Sequence, residues 1–95
     1  DVAAQRELDA LVPVLVQYPN KGVLVTGHSC DIGNPTYNQR LANRRARSVR
    51  AYLMQQGIPA ERISLTEEGE GDPRAPNTAA LNRSLNRRVE IRWAD

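Results

Sequence analysis

Residues 23–35 read VLVTGHSCDIGNP, and this stretch decides the order of the elements around it. Its first four residues form an apolar, β-branched run, which is typical of a strand buried on both faces. The polar segment from Gly27 to Gly33 predicts a loop. Asn34 followed by Pro35 is typical of a helix start, with Asn as the cap and Pro at the first helical position. The stretch therefore predicts a strand, a loop and a helix, in that order.

The predicted helix extends from Pro35 to about Gln56 and ends at a glycine. Gly57 occupies the position that favours glycine after a helix, and Ile58-Pro59 prevents continuation. Ile63-Ser64-Leu65-Thr66 then alternates in the way that predicts a second strand.

A first helix is predicted upstream, over residues 2–18. Its apolar positions fall at i, i+3, i+4 and i+7, which makes one stripe of Leu8, Leu11, Val12 and Leu15. Pro13 lies inside this pattern, and it predicts a kink because it cannot donate a hydrogen bond to the carbonyl of Asp9.

The last third of the chain begins with a segment rich in Gly and Pro, residues 67–77, which predicts a loop. Asn77 is a candidate cap for a short helix through about Leu85. Residues 88–93 alternate as a strand. Its inward set is Val89, Ile91 and Trp93, and its set facing solvent is Arg88, Glu90 and Arg92.

The order of these elements predicts an α/β sandwich in which helices pack on one sheet. The 95 residues are enough for one small domain, residues 1–95, and the lack of Phe predicts an aliphatic core. The single cysteine excludes an internal disulfide. No apolar run reaches the roughly 20 residues that a membrane-spanning helix needs.

Arginine dominates the positive charge. The net charge of +2 is too small to indicate a nucleic-acid partner. Twelve of the 13 basic residues are Arg, and they cluster at 40, 44, 45, 47 and 50 and at 83, 87, 88 and 92. A guanidinium group can bind a carboxylate or phosphate through two parallel hydrogen bonds, so the clusters favour an anionic ligand. The alternative is that these arginines form a solvated helix face.

Catalytic and metal chemistry are not predicted. His28, Cys30 and Asp31 lie within four residues of one another and have no further His or Cys to complete a zinc site. Cys30 has only His28 as a base and no acyl-transfer motif around it. The sequence therefore predicts no enzyme, no metal and no cofactor.

Four motifs in order carry a family resemblance. They are residues 26–33 (TGHSCDIG), a helix pattern over 37–49 (Tyr37, Asn38, Leu41, Arg45, Ala46, Val49), residues 69–73 (GEGDP) and residues 86–91 (NRRVEI). Together they resemble the OmpA-like C-terminal domain family over residues 1–93. The resemblance implies a two-layer α/β sandwich with helices on one face of a mixed sheet. It also implies that the family's first strand is missing from this chain, as in an N-terminally truncated domain.

The resemblance implies a function and a set of binding residues. Such domains bind the peptidoglycan stem peptide at its diaminopimelate residue, in the periplasm or cell envelope. A loop Asp holds the ammonium group and a helix Arg holds the carboxylate. The matching positions for ligand binding here are Arg45, Asn38, Ser29, Cys30, Asp31 and Arg88. The seven-residue spacing independently puts Asn38 and Arg45 on one helix face.

One position departs from the family pattern, because Cys30 stands where the family has the binding Asp. Asp31 follows one residue later, and adjacent extended residues point to opposite sides. Two functions stay open. The first is anchoring of an envelope protein to peptidoglycan, weakened at Cys30. The second is contact with a protein partner in an envelope secretion or motor assembly, after loss of peptidoglycan binding.

Overall fold

Two α-helices, a short 3₁₀ helix and four strands lie in the part of the chain that the computed structural model describes, which is residues 2–28, 33–66, 83–85 and 89–94. In chain order the elements are α1 (Val2–Gln17), β1 (Val23–Gly27), α2 (Pro35–Gln55), a short 3₁₀ helix (Ala60–Arg62), β2 (Ile63–Thr66), β3 (Arg83–Leu85) and β4 (Val89–Trp93).

The strands form one mixed sheet in the order β2-β1-β4-β3. β1 runs parallel to β2 and antiparallel to β4, and β4 runs antiparallel to β3. Val25 in β1 pairs with Leu65 on one side and with Ile91 on the other. The predicted mixed sheet is therefore confirmed, with β1 and β4 as its two inner strands.

The apolar core lies between the helices and one face of this sheet. Val23, Val25 and Ile91 face the helices and are fully buried with Leu15 and Leu53. Burial of each such side chain contributes about 1.5 to 3 kcal/mol. The predicted stripe of α1 is confirmed, since its three leucines are buried and Val12 packs against them.

The core is not purely aliphatic, because Trp93 belongs to it. Tyr18 packs edge-on against the Trp93 ring, with the ring centroids 5.9 Å apart. The ammonium group of Lys21 lies 5.2 Å from the centroid of that ring. This aromatic contact closes the end of the core next to the C-terminus of α1.

The two long predicted helices form, with boundaries within one residue of those expected. α1 continues through Pro13, which is exposed, so the proline is accommodated on the solvent side. α2 is capped by Asn34, whose side-chain oxygen accepts a 3.0 Å hydrogen bond from the backbone N–H of Tyr37. Gly57 has φ +100°, a conformation that favours glycine and ends the helix.

Three details of the sequence interpretation are wrong. Residues 83–85 form β3 and not the end of a short helix, because they pair with the free edge of β4. Gly27 is the buried last residue of β1 and does not belong to the loop. Arg92 faces away from the helices as predicted, yet only 5% of its surface is exposed. Residues 67–82 lie outside the described residues.

Candidate functional site

The end of β1 lies directly against α2 at Gly27. A Cβ at this position would lie 2.0 Å from the backbone oxygen of Ala42, far inside contact distance. Only glycine allows this approach. The contact fixes where the chain leaves β1 relative to the second and third turns of α2, between Asn38 and Arg45.

The chain enters α2 beside Asn38. Gly33 has φ +97°, and a Cβ there would lie 3.7 Å from the side-chain nitrogen of Asn38. Asn34 then caps the helix one residue later. The half-buried Asn38 therefore lies next to the end of the segment that joins β1 to α2.

β4 begins at the same end of the sheet. Gly27 pairs with Val89, the first residue of β4 and the residue that follows Arg88 in the chain. The exit from β1, the entry to β4 and the Ala42 turn of α2 therefore meet at one edge of the sandwich.

Arg45 lies beside the buried stripe of α2 rather than within it. The fully buried residues of the helix are Ala42, Ala46 and Leu53. Arg45 is half-buried and shares its flank with the half-buried Leu41 and Val49. In the described part of the chain it has no recorded hydrogen bond or ion pair. A guanidinium at this position would bind a carboxylate or phosphate through paired N–H donors.

Arg50, in contrast, forms hydrogen bonds within the fold. Its Nε donates a 3.0 Å hydrogen bond to the carbonyl of Ile63, and its Nη2 donates a 3.1 Å hydrogen bond to the carbonyl of Ala60. This arginine joins α2 to the start of β2. Its role is structural, and the spacing of the sequence does not distinguish it from Arg45.

Three polar side chains, Glu90, Arg92 and His28, lie together on the sheet face opposite the helices. The Glu90 carboxylate lies 3.4 Å from Nη2 of Arg92 and 3.6 Å from Nε2 of His28. Thr26, paired with Glu90, is fully buried on the same face. His28 therefore lies beside a structural ion pair between Glu90 and Arg92. Sequence reasoning missed the burial of Arg92, because alternation predicts a face but not what covers it.

One further polar contact links the two helices. The Tyr52 hydroxyl donates a hydrogen bond to the Asp9 carboxylate, which joins α2 to α1. This hydrogen bond raises the pKa of Tyr52 above its ordinary value, because the carboxylate stabilises the protonated phenol. Tyr52 lies on the same side of α2 as Val49, and both line a groove next to Leu8 of α1.

The structure places two of the six predicted binding residues, Asn38 and Arg45, and they lie two helical turns apart. Ser29, Cys30, Asp31 and Arg88 lie outside the described residues. Across the ranges that are described, no cluster of three His, Cys, Asp or Glu side chains could hold a metal ion. No helix among them is long and apolar enough to cross a membrane.

The fold is that of known envelope domains. It matches the C-terminal domain of Helicobacter pylori MotB with a TM-score of 0.68 and 28% identity, over 94% of this chain and 70% of that one. It matches the peptidoglycan-associated lipoprotein of Burkholderia pseudomallei with a TM-score of 0.66 and 24% identity, over 94% of this chain and 75% of that one.

The sequence comparisons identify the family. The OmpA family model matches residues 1–87, and the chain belongs to this family. Outer membrane porin F of Pseudomonas fluorescens is 41% identical over 80 residues, which is 84% of this chain and 24% of that protein. Outer membrane protein A of Escherichia fergusonii is 43% identical over 98 aligned positions, 92% of this chain and 40% of that protein. The chain thus spans less than half the length of these relatives.

Proposed function

We propose that this domain binds the peptidoglycan stem peptide and thereby holds an envelope protein to the cell wall. The observation that carries the proposal is Arg45, a half-buried arginine with no recorded partner among the described residues, beside the meeting point of β1, β4 and α2. Membership of the OmpA family supports the proposal, as does the likeness to a lipoprotein named for its association with peptidoglycan.

In the proposed complex, Arg45 binds the diaminopimelate carboxylate through two parallel N–H donors. The side-chain amide of Asn38, two helical turns before Arg45, forms a hydrogen bond with the same ligand. The other positions that the family pattern assigns to this site are Ser29, Cys30, Asp31 and Arg88, and we expect the side chain of Asp31 to point away from the ligand. The proposed binding is non-covalent, so the site needs no catalytic group.

Cys30 sets the strength of this binding. A thiol at the position of the family's Asp leaves the diaminopimelate ammonium without its carboxylate. Loss of one partner of a desolvated charge pair costs about 2 to 5 kcal/mol. We therefore expect Cys30→Asp to tighten stem-peptide binding by about one and a half to three and a half orders of magnitude.

The experiment is a calorimetric titration with a diaminopimelate-containing stem peptide. The proteins are the natural domain, Cys30→Asp, Arg45→Ala and the double variant, with Arg6→Gln as a control that removes an exposed charge from α1. Saturable binding that Cys30→Asp strengthens, Arg45→Ala removes and Arg6→Gln leaves unchanged supports the proposal. Binding that survives Arg45→Ala in both backgrounds contradicts it.

The second candidate function is protein contact within an envelope assembly, and Cys30 is the residue that favours it. A domain that lost its binding carboxylate would keep the fold and present the same edge of the sandwich to a protein. Binding of stem peptide by Cys30→Asp alone, with none by the natural domain, would favour this function.

A further inference from the structure

Three of the five arginines of α2 have no structural role within the described part of the chain. Arg40, Arg44 and Arg47 are exposed, whereas Arg45 is half-buried and Arg50 donates hydrogen bonds to two carbonyls. An exposed cation contributes little to stability by itself. The presence of arginine at these three exposed positions therefore needs a different explanation from that at positions 45 and 50.

The three arginines lie on one stripe along the whole helix. Its members are exposed and separated alternately by three and four residues: Tyr37, Arg40, Arg44, Arg47, Ala51 and Met54. Residues at these separations are neighbours on a helix surface. We call the central part, Arg40, Arg44 and Arg47, the arginine stripe. It extends about 10 Å along the helix axis.

No carboxylate on the helix balances this charge. α2 contains neither Asp nor Glu from Pro35 to Gln55. Within the described ranges, Glu90 forms an ion pair with Arg92 and lies 3.6 Å from His28, on the far side of the sheet. Like charges three and four residues apart destabilise a helix. A surface that only needed solvation would be served as well by mixed charges, so the arginine stripe indicates an anionic partner.

The arginine stripe is separate from the proposed Arg45 site. Arg45 shares a flank with Val49, which lines the groove toward α1. Arg47 lies on the opposite side of the helix and lines a cleft against β2 with Asn43, Leu65 and Thr66. A stem peptide held at Arg45 would therefore leave the arginine stripe accessible.

We propose that the arginine stripe binds carboxylates of a second stem peptide on the same peptidoglycan polymer. This inference rests on the proposed function. Stem peptides recur along the polymer, and each carries a terminal carboxylate besides that of diaminopimelate. Once one is held at Arg45, its neighbours are present at high effective concentration, so weak contacts add to the total affinity. Guanidinium groups suit this role because they bind carboxylates through paired donors.

The test compares a polymeric with a monomeric ligand. Binding to purified insoluble peptidoglycan is measured by sedimentation, and binding to a single stem peptide is measured by calorimetry. The stripe variant is Arg40→Gln with Arg44→Gln. The matched control is Arg6→Gln with Lys21→Gln, which removes the same charge from exposed positions outside α2. Thermal unfolding confirms that both variants fold.

We expect the stripe variant to bind the polymer at least about threefold more weakly than the control, with a smaller dependence on salt. Binding of the single stem peptide should be equal in the two variants. Equal polymer binding by stripe variant and control would overturn the inference, as would a parallel loss of monomer binding. Loss of binding to phosphatidylglycerol vesicles, with polymer binding intact, would overturn it in favour of a lipid surface.

The design separates failure of the inference from failure of the proposed function. If the parent domain binds the single stem peptide but the stripe variant matches its control on the polymer, only the arginine stripe assignment fails. If neither the natural domain nor Cys30→Asp binds either ligand, the proposed function fails, and the inference fails with it.

Discussion

Arg45 and Arg50 are both half-buried arginines of α2, five residues apart, and their surroundings differ completely. Arg50 faces the start of β2 and donates to two backbone carbonyls. Arg45 shares its flank of α2 with Val49, which lines the groove toward α1, and it makes no such bond within the described residues. One helix thus uses the same side chain once to stabilise the fold and once, in our proposal, to hold a ligand. The comparison shows that spacing alone does not identify a binding arginine.

The largest expected effect concerns the close contact between Gly27 of β1 and Ala42 of α2, which positions α2 on the sheet. Gly27→Ala would put a methyl group 2.0 Å from the Ala42 carbonyl oxygen, and backbone cannot move aside as a side chain can. We expect a loss of about 3 kcal/mol or more in the free energy of unfolding, by urea denaturation. Stem-peptide binding should weaken too, because α2 carries Arg45.

Gly22→Ala is the matched control for this change. Its added Cβ would meet the Ala94 side chain at 3.2 Å, and a shift of a few tenths of an ångström relieves this contact. We expect a free energy of unfolding within about 1 kcal/mol of the parent. Similar losses in both variants would show that the approach of β1 to α2 is not what makes position 27 sensitive.

The next effect separates binding from stability at Arg45. In the Cys30→Asp background, Arg45→Gln should weaken stem-peptide binding by at least about tenfold, since a partly desolvated charge pair is lost. Its free energy of unfolding should change by less than about 0.5 kcal/mol, because no recorded contact is removed. A large loss of stability with unchanged binding would assign Arg45 a structural role.

Arg50→Gln should give the reverse result. Glutamine cannot reach both the Ala60 and Ile63 carbonyls, and hydrogen bonds from a charged donor contribute about 1.5 to 3 kcal/mol. We expect a decrease of that size in the free energy of unfolding. Stem-peptide affinity, measured where the variant is fully folded, should be unchanged. A specific loss of affinity in Arg50→Gln would remove the distinction between the two arginines.

The smallest expected effect concerns the hydrogen bond between Tyr52 of α2 and Asp9 of α1, on the same flank of α2 as Arg45. The Asp9 carboxylate raises the pKa of Tyr52, so protonated Tyr52 is favoured in the folded state. Its contribution to stability is present below the unfolded pKa of about 10 and is lost as the pH rises through the folded pKa. Ultraviolet titration of the phenols should show one late-titrating group that Asp9→Asn shifts back. An unchanged titration curve would contradict the contact.

The sequence predicted much of this fold because its local signals agree with one another. The Asn34-Pro35 start and Gly57 end defined α2 to within a residue, and period-two alternation identified β4 and its inward face. These signals depend on neighbours in the chain. The packing they imply follows directly, since an apolar face of a strand must be covered.

The features that the sequence did not predict depend on partners distant in the chain. Residues 83–85 form a strand because they pair with the edge of β4. The strand propensity of these residues does not show that such an edge is present. Arg92 is buried although its alternation predicted solvent. Arg45 and Arg50 have similar neighbours in sequence, and only the position of the Ala60 and Ile63 carbonyls distinguishes them. Of the candidate site, the sequence correctly placed Asn38 and Arg45 on one side of α2 but not their surroundings.

The most direct test of the central claim is a map of the backbone amide shifts of the Cys30→Asp domain during titration with the stem peptide, recorded by nuclear magnetic resonance. The account predicts saturable shifts centred on Asn38, Arg45 and the segment from His28 to Gly33, with little change at Arg50 and β2. Shifts centred on the β2 edge, or on the sheet face that carries Glu90 and Arg92, would contradict it.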